Sequence, residues 1–411
     1  MAITGKVLIV LENRPALIDT RILVEATTLR DQNFEVCVIS PRDTPRKGNS
    51  YLCLEGIHFY SYYLPRFRGK KMAYLFEYSW SMLKIWWISL WVLYRHGFDV
   101  IHAANPPDIF FFLYWFYRFF GKRFIFDQHD LSLELFQVKF GKRHKFLQRI
   151  LLWLEKCSYR TAACVLTTNE SQRQIAVTRG KCDPEKVFVV RNGPDLQRLY
   201  SVPTEPELKK GRSFLLVYIG AMEVQDGVHY ALYALHELIH VYKRRDILFV
   251  LMGDGSRLPD LKKLAEELHI GEYVSFTGWV GEQEIRRYLS TADIGLCPDP
   301  LNGVNEFCTT IKAMEYMAMS LPIVAFDLVE TRYTTREAAL YATPNSVHEF
   351  AGQINRLLDD PELREAMGKH ARHRVEKCLS WNYARQHLLH AYATLFPALT
   401  IPAASESICM E

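Results

Sequence analysis

Short, nearly unbroken apolar runs alternate with amphipathic helical stretches along this chain, and the alternation pauses once and restarts. Lys6–Glu12 (KVLIVLE), Phe34–Ser40, Phe98–Ala103, Arg123–Asp127, Cys164–Thr168 and Val187–Val190 read as buried strands. Helical patterns over Asp19–Gln32 and about residues 73–94, 107–120, 145–160 and 170–179 fill the gaps. A strand that is apolar on both faces must be covered on both, which points to parallel strands joined by helical crossovers. Near 192–212 the pattern gives way to Asn-Gly-Pro-Asp and a charged stretch, PTEPELKKGR, read as a linker. Strands resume at Phe214–Gly220, Ile247–Met252, Val274–Thr277, Ile294–Cys297 and Ile323–Phe326. A chain of 411 residues is too long for one core and suits two domains of roughly 200 residues each. The expected fold class is therefore α/β, two doubly wound domains facing a cleft, over residues 1–204 and 205–381. The last helix, 382–396, is expected to rejoin the first domain. Ligands of such sheets sit beyond the carboxyl ends of the strands, so the loops after strands are where chemistry is sought.

Composition is that of a folded chain, 49% hydrophobic and 23% charged, which excludes a disordered or fibrous protein. The nine cysteines are scattered without a Cys-x-x-Cys pair. Neither a disulfide framework nor a zinc site is expected, and reduced thiols in a cytoplasmic protein are. The opening Met-Ala-Ile-Thr-Gly-Lys runs directly into a strand, so no signal peptide is expected. Charge divides unevenly. Residues 1–200 hold 29 Lys and Arg against 18 Asp and Glu, with six of the eight tryptophans, whereas the remainder holds 21 against 28. A basic, aromatic half beside an acidic one suggests two different partners.

Residues 73–94 (AYLFEYSWSMLKIWWISLWVLY) and 109–120 (IFFFLYWFYRFF) concentrate the aromatics. The longest uncharged run in the first is ten residues, Ile85–Tyr94, where a spanning helix needs about 20, so no transmembrane helix is expected. Two readings stand. Both segments are helices buried on the first sheet, or their Trp and Tyr rims dock on an anionic membrane. In the second reading Arg66, Arg68, Lys70, Lys71 and the cluster Lys139, Lys142, Arg143 and Lys145 assist, making the protein peripheral on the inner face of the plasma membrane. No nucleic-acid-binding motif accompanies these cations, so no nucleic acid partner is expected.

The segment most informative about chemistry is Asn305–Pro322 (NEFCTTIKAMEYMAMSLP), a loop entering a helix near Thr309, with a strand to follow. A helix N-terminus offers unpaired N–H groups to a diphosphate. Lys312 and Glu315, three apart, share a helix face. Lys312 is suited to phosphate charge, and the carboxylates of Glu306 and Glu315 to sugar and ribose hydroxyls. No paired Asp-x-Asp strand end and no His/Cys cluster with ligand spacing is present, so no metal is expected. There is no Gly-x-Gly-x-x-Gly after the first strand and no P-loop, which counts against a dehydrogenase or an NTPase.

This segment resembles the glutamate-x7-glutamate motif of family 4 retaining glycosyltransferases, which have the GT-B fold of two Rossmann-like domains. Glu315, followed by Tyr-Met-Ala and then Pro-Ile-Val-Ala, matches the second glutamate. Phe307 stands where the first would fall, and Glu306 is its substitute; Ser320 stands where the family usually has glycine. Met252-Gly-Asp-Gly-Ser-Arg, Val274–Val280 (VSFTGWV), Arg191-Asn-Gly-Pro-Asp195 and Gln128-His-Asp130 also resemble family motifs, in the family's order. One departure concerns the loop Gly220–Gly227 (GAMEVQDG), where Ala221 and Asp226 stand in place of the usual phosphate-binding Arg and Lys. Lys312 is therefore expected to carry more of the diphosphate charge than usual.

The resemblance implies a metal-independent retaining glycosyltransferase of bacterial polysaccharide synthesis. Its substrates would be a nucleoside-diphosphate sugar, UDP ahead of GDP, and a lipid-linked or oligosaccharide acceptor; no cofactor is implied. His129, Glu306, Lys312 and Glu315 are the expected catalytic residues. Gly220, Gln225, Asp226, Gly253, Gly255, Trp279, Val280, Thr309, Thr310 and Ile311 are expected at the donor, and Asn13, Arg14 and Asp130 at the acceptor. Asp130 would orient His129 or cap the helix beginning at Leu131. Two alternatives are a nucleotide-sugar 2-epimerase and a non-catalytic sugar-nucleotide-binding partner in a glycan-assembly complex.

Overall fold

The structure, a computed structural model, describes residues 3–42, 50–65 and 71–400, and of residues 71–75 the backbone alone. Arg66, Arg68, Lys70, the side chain of Lys71 and Cys409 thus lie outside the described residues. The chain divides into two compact units, one running to Arg191 and taking in the described residues from Ala384 onward, the other Asn192–Tyr383. The division falls before the charged stretch rather than at residue 204, because Asn192–Leu199 is already committed to the second unit. Gly193 is pressed so closely on its backbone that a Cβ would stand 2.2 Å from the Leu379 carbonyl oxygen. The Trp381 N–H donates to the Pro194 carbonyl at 3.1 Å, and Leu196 and Leu199 pack on the second core.

The first unit is built on an eight-stranded sheet. Its strands are β1 (Gly5–Val10), β2 (Phe34–Arg42), β3 (Tyr51–Leu54), β4 (Ile57–Tyr63), β5 (Val100–Ala104), β6 (Arg123–Gln128), β7 (Cys164–Thr167) and β8 (Val187–Val189). Their order is β3-β4-β2-β1-β5-β6-β7-β8, parallel throughout except for the β3–β4 hairpin. The sequence pattern does not predict that hairpin: β3 is exposed along its whole length, so it lacks the apolar run that marks its neighbours. Helices Lys71–Arg95, Phe111–Tyr117 and Lys145–Thr161 pack on one face through Ile85, Val92, Phe111, Tyr117 and Tyr159. On the other face lie helix Thr20–Asp31 and the final helix Trp381–Ala393. Tyr392 of that final helix meets Phe34 at 5.6 Å between ring centroids and shares a 2.8 Å hydrogen bond with His102 Nδ1.

The second unit holds six parallel strands, β9 (Phe214–Ile219), β10 (Ile247–Met252), β11 (Val274–Gly278), β12 (Ile294–Cys297), β13 (Ile323–Phe326) and β14 (Ala339–Ala342). Their order is β11-β10-β9-β12-β13-β14. Alternate residues of β9 feed two cores, Leu216 and Tyr218 one, Leu215 and Val217 the other, which is why the strand reads as an unbroken apolar run. Each sheet thus reverses strand order once, between β1 and β5 and between β9 and β12, and each reversal opens a crevice at the carboxyl ends. The seven cysteines from Cys37 to Cys308 are free.

Candidate active site

At the crevice of the second unit, Gly220 follows β9 with φ 147°, and a Cβ there would stand 3.2 Å from Lys312 Cε. Gly253 follows β10 with φ 142°, and its Cβ would stand 1.9 Å from the Gly220 carbonyl oxygen. Only glycine lets these two loops lie against each other at that conformation. Further along, the Met222 N–H donates to the Asp254 carbonyl at 3.0 Å, and Gly255 would drive a Cβ to 2.4 Å from the Met222 carbonyl oxygen. Asn305 ties the loop after β12 to the loop after β9, its Nδ2 donating to the Gln225 carbonyl at 2.7 Å and to the Pro300 carbonyl at 3.0 Å.

Into this floor reaches Lys312, from the helix Ile311–Ala318. Its Nζ donates to Asp299 Oδ1 at 2.6 Å, both side chains being 10% exposed. The Tyr218 ring lies 5.4 Å from the ammonium. Burial disfavours that charge, but Asp299 and Tyr218 outweigh it and hold the lysine pKa well above its ordinary value. Asp299 Oδ2 and Gln225 Oε1 are buried acceptors without a hydrogen-bond partner, an arrangement that suits a ligand supplying O–H or N–H groups. Burial pushes the Glu315 carboxyl up to about 7 against the pull of Lys312 and Arg198.

Several expected residues stand differently from their sequence reading. Lys312 is not an idle cation awaiting phosphate, since Asp299, which the sequence reading missed, already balances it. Asp226 closes a turn, accepting from the Glu223 N–H at 3.0 Å, and burial raises its carboxyl to about 6, offset in part by Lys312. The helix begins at Ile311, later than expected, with extended Thr310 at its N-cap and Thr309 before it. Glu306 is exposed in the short turn Asn305–Phe307, its N–H bonded to the Asn302 carbonyl at 3.3 Å. Trp279 presents an exposed ring just after β11, while Val280 packs on the core behind.

The crevice of the first unit gathers a buried charge network. Arg21 donates to Asp127 Oδ1 and to the Val190 carbonyl, both at 2.7 Å, and pairs with Glu25 at 3.0 Å. His129 Nε2 lies 2.5 Å from Asp127 Oδ2. Asp127, not Asp130, therefore orients His129. Burial works against the imidazolium, but Asp127 raises the His129 pKa above its ordinary value. Arg21 and His129 hold Asp127 well below the carboxylate range despite its burial. Asp130 caps nothing either: the helix is Ser132–Phe140, and its N-cap, Leu131, makes no side-chain bond. Instead the N–H groups of His129 and Asp130 both donate to Asn105 Oδ1, at 2.6 and 3.1 Å, fixing the loop after β6 to the loop after β5. Asn13 and Arg14 follow β1 at the same crevice, Arg14 lying 3.6 Å from Asp19. Arg21 and Glu25 are four apart on a helix, a spacing that ordinary surface pairs share, and only the burial of that helix face reveals them.

Two groups among the described residues have metal-ligand spacing, Glu25, His102 and Asp127, and Glu35, His58 and His96. Each already contains a protein cation, Arg21 in the first and Lys6 at 3.0 Å from Glu35 in the second.

Residues 19–198 match the model of Glycosyltransferase Family 4, and residues 213–360 that of Glycosyl transferases group 1. The chain belongs to the family 4 glycosyltransferases. It is 27% identical over 238 residues to an alpha-D-kanosaminyltransferase of Streptomyces kanamyceticus, covering 54% of this chain and 58% of that one. It is 21% identical over 242 residues to the UDP-Gal:alpha-D-GlcNAc-diphosphoundecaprenol alpha-1,3-galactosyltransferase of Escherichia coli, covering 57% and 60%. The match thus spans less than two thirds of these curated relatives. Among solved structures, sucrose-phosphate synthase from Thermosynechococcus elongatus superposes with a TM-score of 0.79 at 17% identity, over 96% of this chain and all of that one. Anabaena HepE in complex with UDP-glucose does so with a TM-score of 0.70 at 16% identity, over 95% of this chain and 100% of the other. At such identities the likeness establishes a shared fold, and the family 4 chain has the GT-B architecture of two parallel α/β domains.

Proposed function

We propose that the chain transfers a sugar, with retention of anomeric configuration, from a nucleoside diphosphate to a hydroxyl of a lipid-linked glycan. The observation that carries this reading is the buried Lys312–Asp299 pair over the Gly220–Gly253 floor at the carboxyl end of β9. The diphosphate lies on the glycine floor, and Lys312 donates to it as negative charge builds on the leaving group. Asp299 Oδ2 and Gln225 Oε1 accept from the sugar hydroxyls, which satisfies two buried acceptors that otherwise lack partners. The first unit contributes His129, held by Asp127, to the acceptor. The leaving phosphate takes the acceptor proton, so the protein needs no nucleophile of its own.

A uridine nucleotide is favoured by the UDP-glucose in the HepE structure and by the UDP-Gal in the name of the E. coli relative, whose acceptor is alpha-D-GlcNAc-diphosphoundecaprenol. Such an acceptor would place the protein at the cytoplasmic face of a membrane. The test is product analysis with UDP-sugars and a polyprenyl diphosphate sugar acceptor. An α-linked product from an α-donor is expected; an inverted linkage, or consumption of donor without a glycoside, would refute the reading.

A further inference from the structure

Helix Lys71–Arg95 has a buried face and an apolar exposed one. Ser81, Ile85, Ser89 and Val92 are buried on the sheet, whereas Leu83, Trp87, Trp91 and Tyr94 follow the helical period on the outside. Trp87 is 64% exposed and Trp91 56%. Neighbouring helices extend this outer face. Trp86 meets Phe116 at 5.9 Å, and Phe111 meets Trp153 at 6.0 Å, both edge to face, so helices Phe111–Tyr117 and Lys145–Thr161 lie alongside in sequence. Phe119 is 78% exposed, Phe146 74% and Trp153 51%. Large aromatics gathered on one face, and not scattered singly, mark a surface that meets something less polar than water.

The charges on these helices select the occupant. Among the described residues of the three helices and the turn Arg118–Phe120, the exposed charges are Arg95, Arg118, Lys145, Arg149, Lys156 and Arg160, all cations, while Glu77 and Lys84 are half-buried. Glu155, on the same stretch, is buried and paired with Arg179 at 2.7 Å. An aromatic surface fringed by one sign of charge is complementary to the interface of an anionic bilayer, where indole and phenyl rings enter the headgroup region and Lys and Arg meet lipid phosphates. None of the described helices is long and apolar enough to cross a membrane, so the contact is lateral. We infer that this three-helix face is a docking surface that seats the first unit on an anionic lipid bilayer, with Trp87, Trp91 and Trp153 inserted among the headgroups. The inference stands apart from the transfer reading, because it rests on a helical face and not on either crevice.

The test uses the full chain with phosphatidylcholine vesicles, with and without phosphatidylglycerol. Binding to the anionic vesicles at least about tenfold stronger than to the neutral ones, and weakened by added salt, is expected. Tryptophan emission should be quenched by lipids brominated on the upper acyl chain. Trp87→Ser with Trp91→Ser, and separately Arg149→Glu with Lys156→Glu, should each weaken binding about tenfold or more. Both pairs should leave the melting temperature and turnover of a water-soluble acceptor unchanged. Quenching in the unsubstituted chain keeps the test independent of how the variants fold. Failure to bind anionic vesicles, full binding by the Trp87/Trp91 variant, or no quenching would overturn the inference. So would a solution dimer that these substitutions dissociate, since a second copy would then be the occupant.

Discussion

Lys312 carries its charge where water barely reaches, and among the described residues Asp299 is the acid in direct contact with it. Removing an interaction made chiefly in the transition state typically costs catalysis two to three orders of magnitude. Lys312→Ala and Glu315→Ala should each therefore slow transfer about 100-fold or more, read as kcat with saturating donor. Exposed Glu306 offers at most one solvent-competed hydrogen bond, so Glu306→Ala should cost about tenfold or less. Equal losses in all three would contradict that ranking. Burial raises the Glu315 carboxyl from 4.5 to about 7. Between those values the folded chain keeps a proton that the unfolded chain has released, so this group's contribution to stability declines as pH rises through the window. Glu315→Gln removes the penalty. Its melting temperature should gain on the parent steadily from pH 4.5 to 7 and level off above; a pH-independent difference would show that Glu315 ionises normally.

At the scale of elements, helix Thr20–Asp31 is clamped to the first sheet by a charge rather than by apolar packing alone. Arg21 bridges Asp127 at the end of β6, Glu25 on its own helix and the Val190 carbonyl beyond β8. Arg21→Ala leaves buried Glu25 without its cation and Asp127 with His129 alone, and a loss of about 3–5 kcal/mol in denaturant unfolding is expected. A loss below about 1 kcal/mol, the worth of a surface pair, would mean the network is solvated. Strands covered on both faces were legible in sequence, because two cores on one strand leave an unbroken apolar run. The hairpin β3–β4 and the edge strand β14 were not: β3 is exposed along its whole length, β4 mixes His, Ser and Tyr into its run, and two of the four residues of β14 are only half-buried. Glu315 and Lys312 were legible from their spacing on a helix, whereas Asp299 lies thirteen residues from Lys312 across a loop and a turn. Asp130 fills neither role expected of it, orienting His129 or capping the next helix, because adjacency in sequence says little about which carboxylate a strand-end side chain faces.

Over the whole molecule, two sheets each reverse strand order once, and each reversal collects the polar residues its unit can least bury without a purpose. The first unit gathers Arg21, Asp127 and His129 at its crevice, and the second gathers Lys312, Asp299 and Glu315. The division of the chain was visible as a pause in the apolar pattern. Its position was not, because Asn192–Leu199 looks like linker yet packs on the second core. Aromatic density announced the helices at 71–95 and 111–117, but sequence could not divide their residues between a buried and an exposed face. The measurement that tests the donor crevice most directly is thermal stabilisation by UDP-sugars, with Lys312→Ala read against its own ligand-free melting temperature. A ligand at a hundred times its Kd adds about 2.7 kcal/mol to a folded protein. A clear rise in Tm in the parent, lost or much reduced in Lys312→Ala, is predicted. No rise with any nucleoside-diphosphate sugar, or an equal rise in both proteins, would contradict the assignment of the Lys312–Asp299 crevice as the donor site.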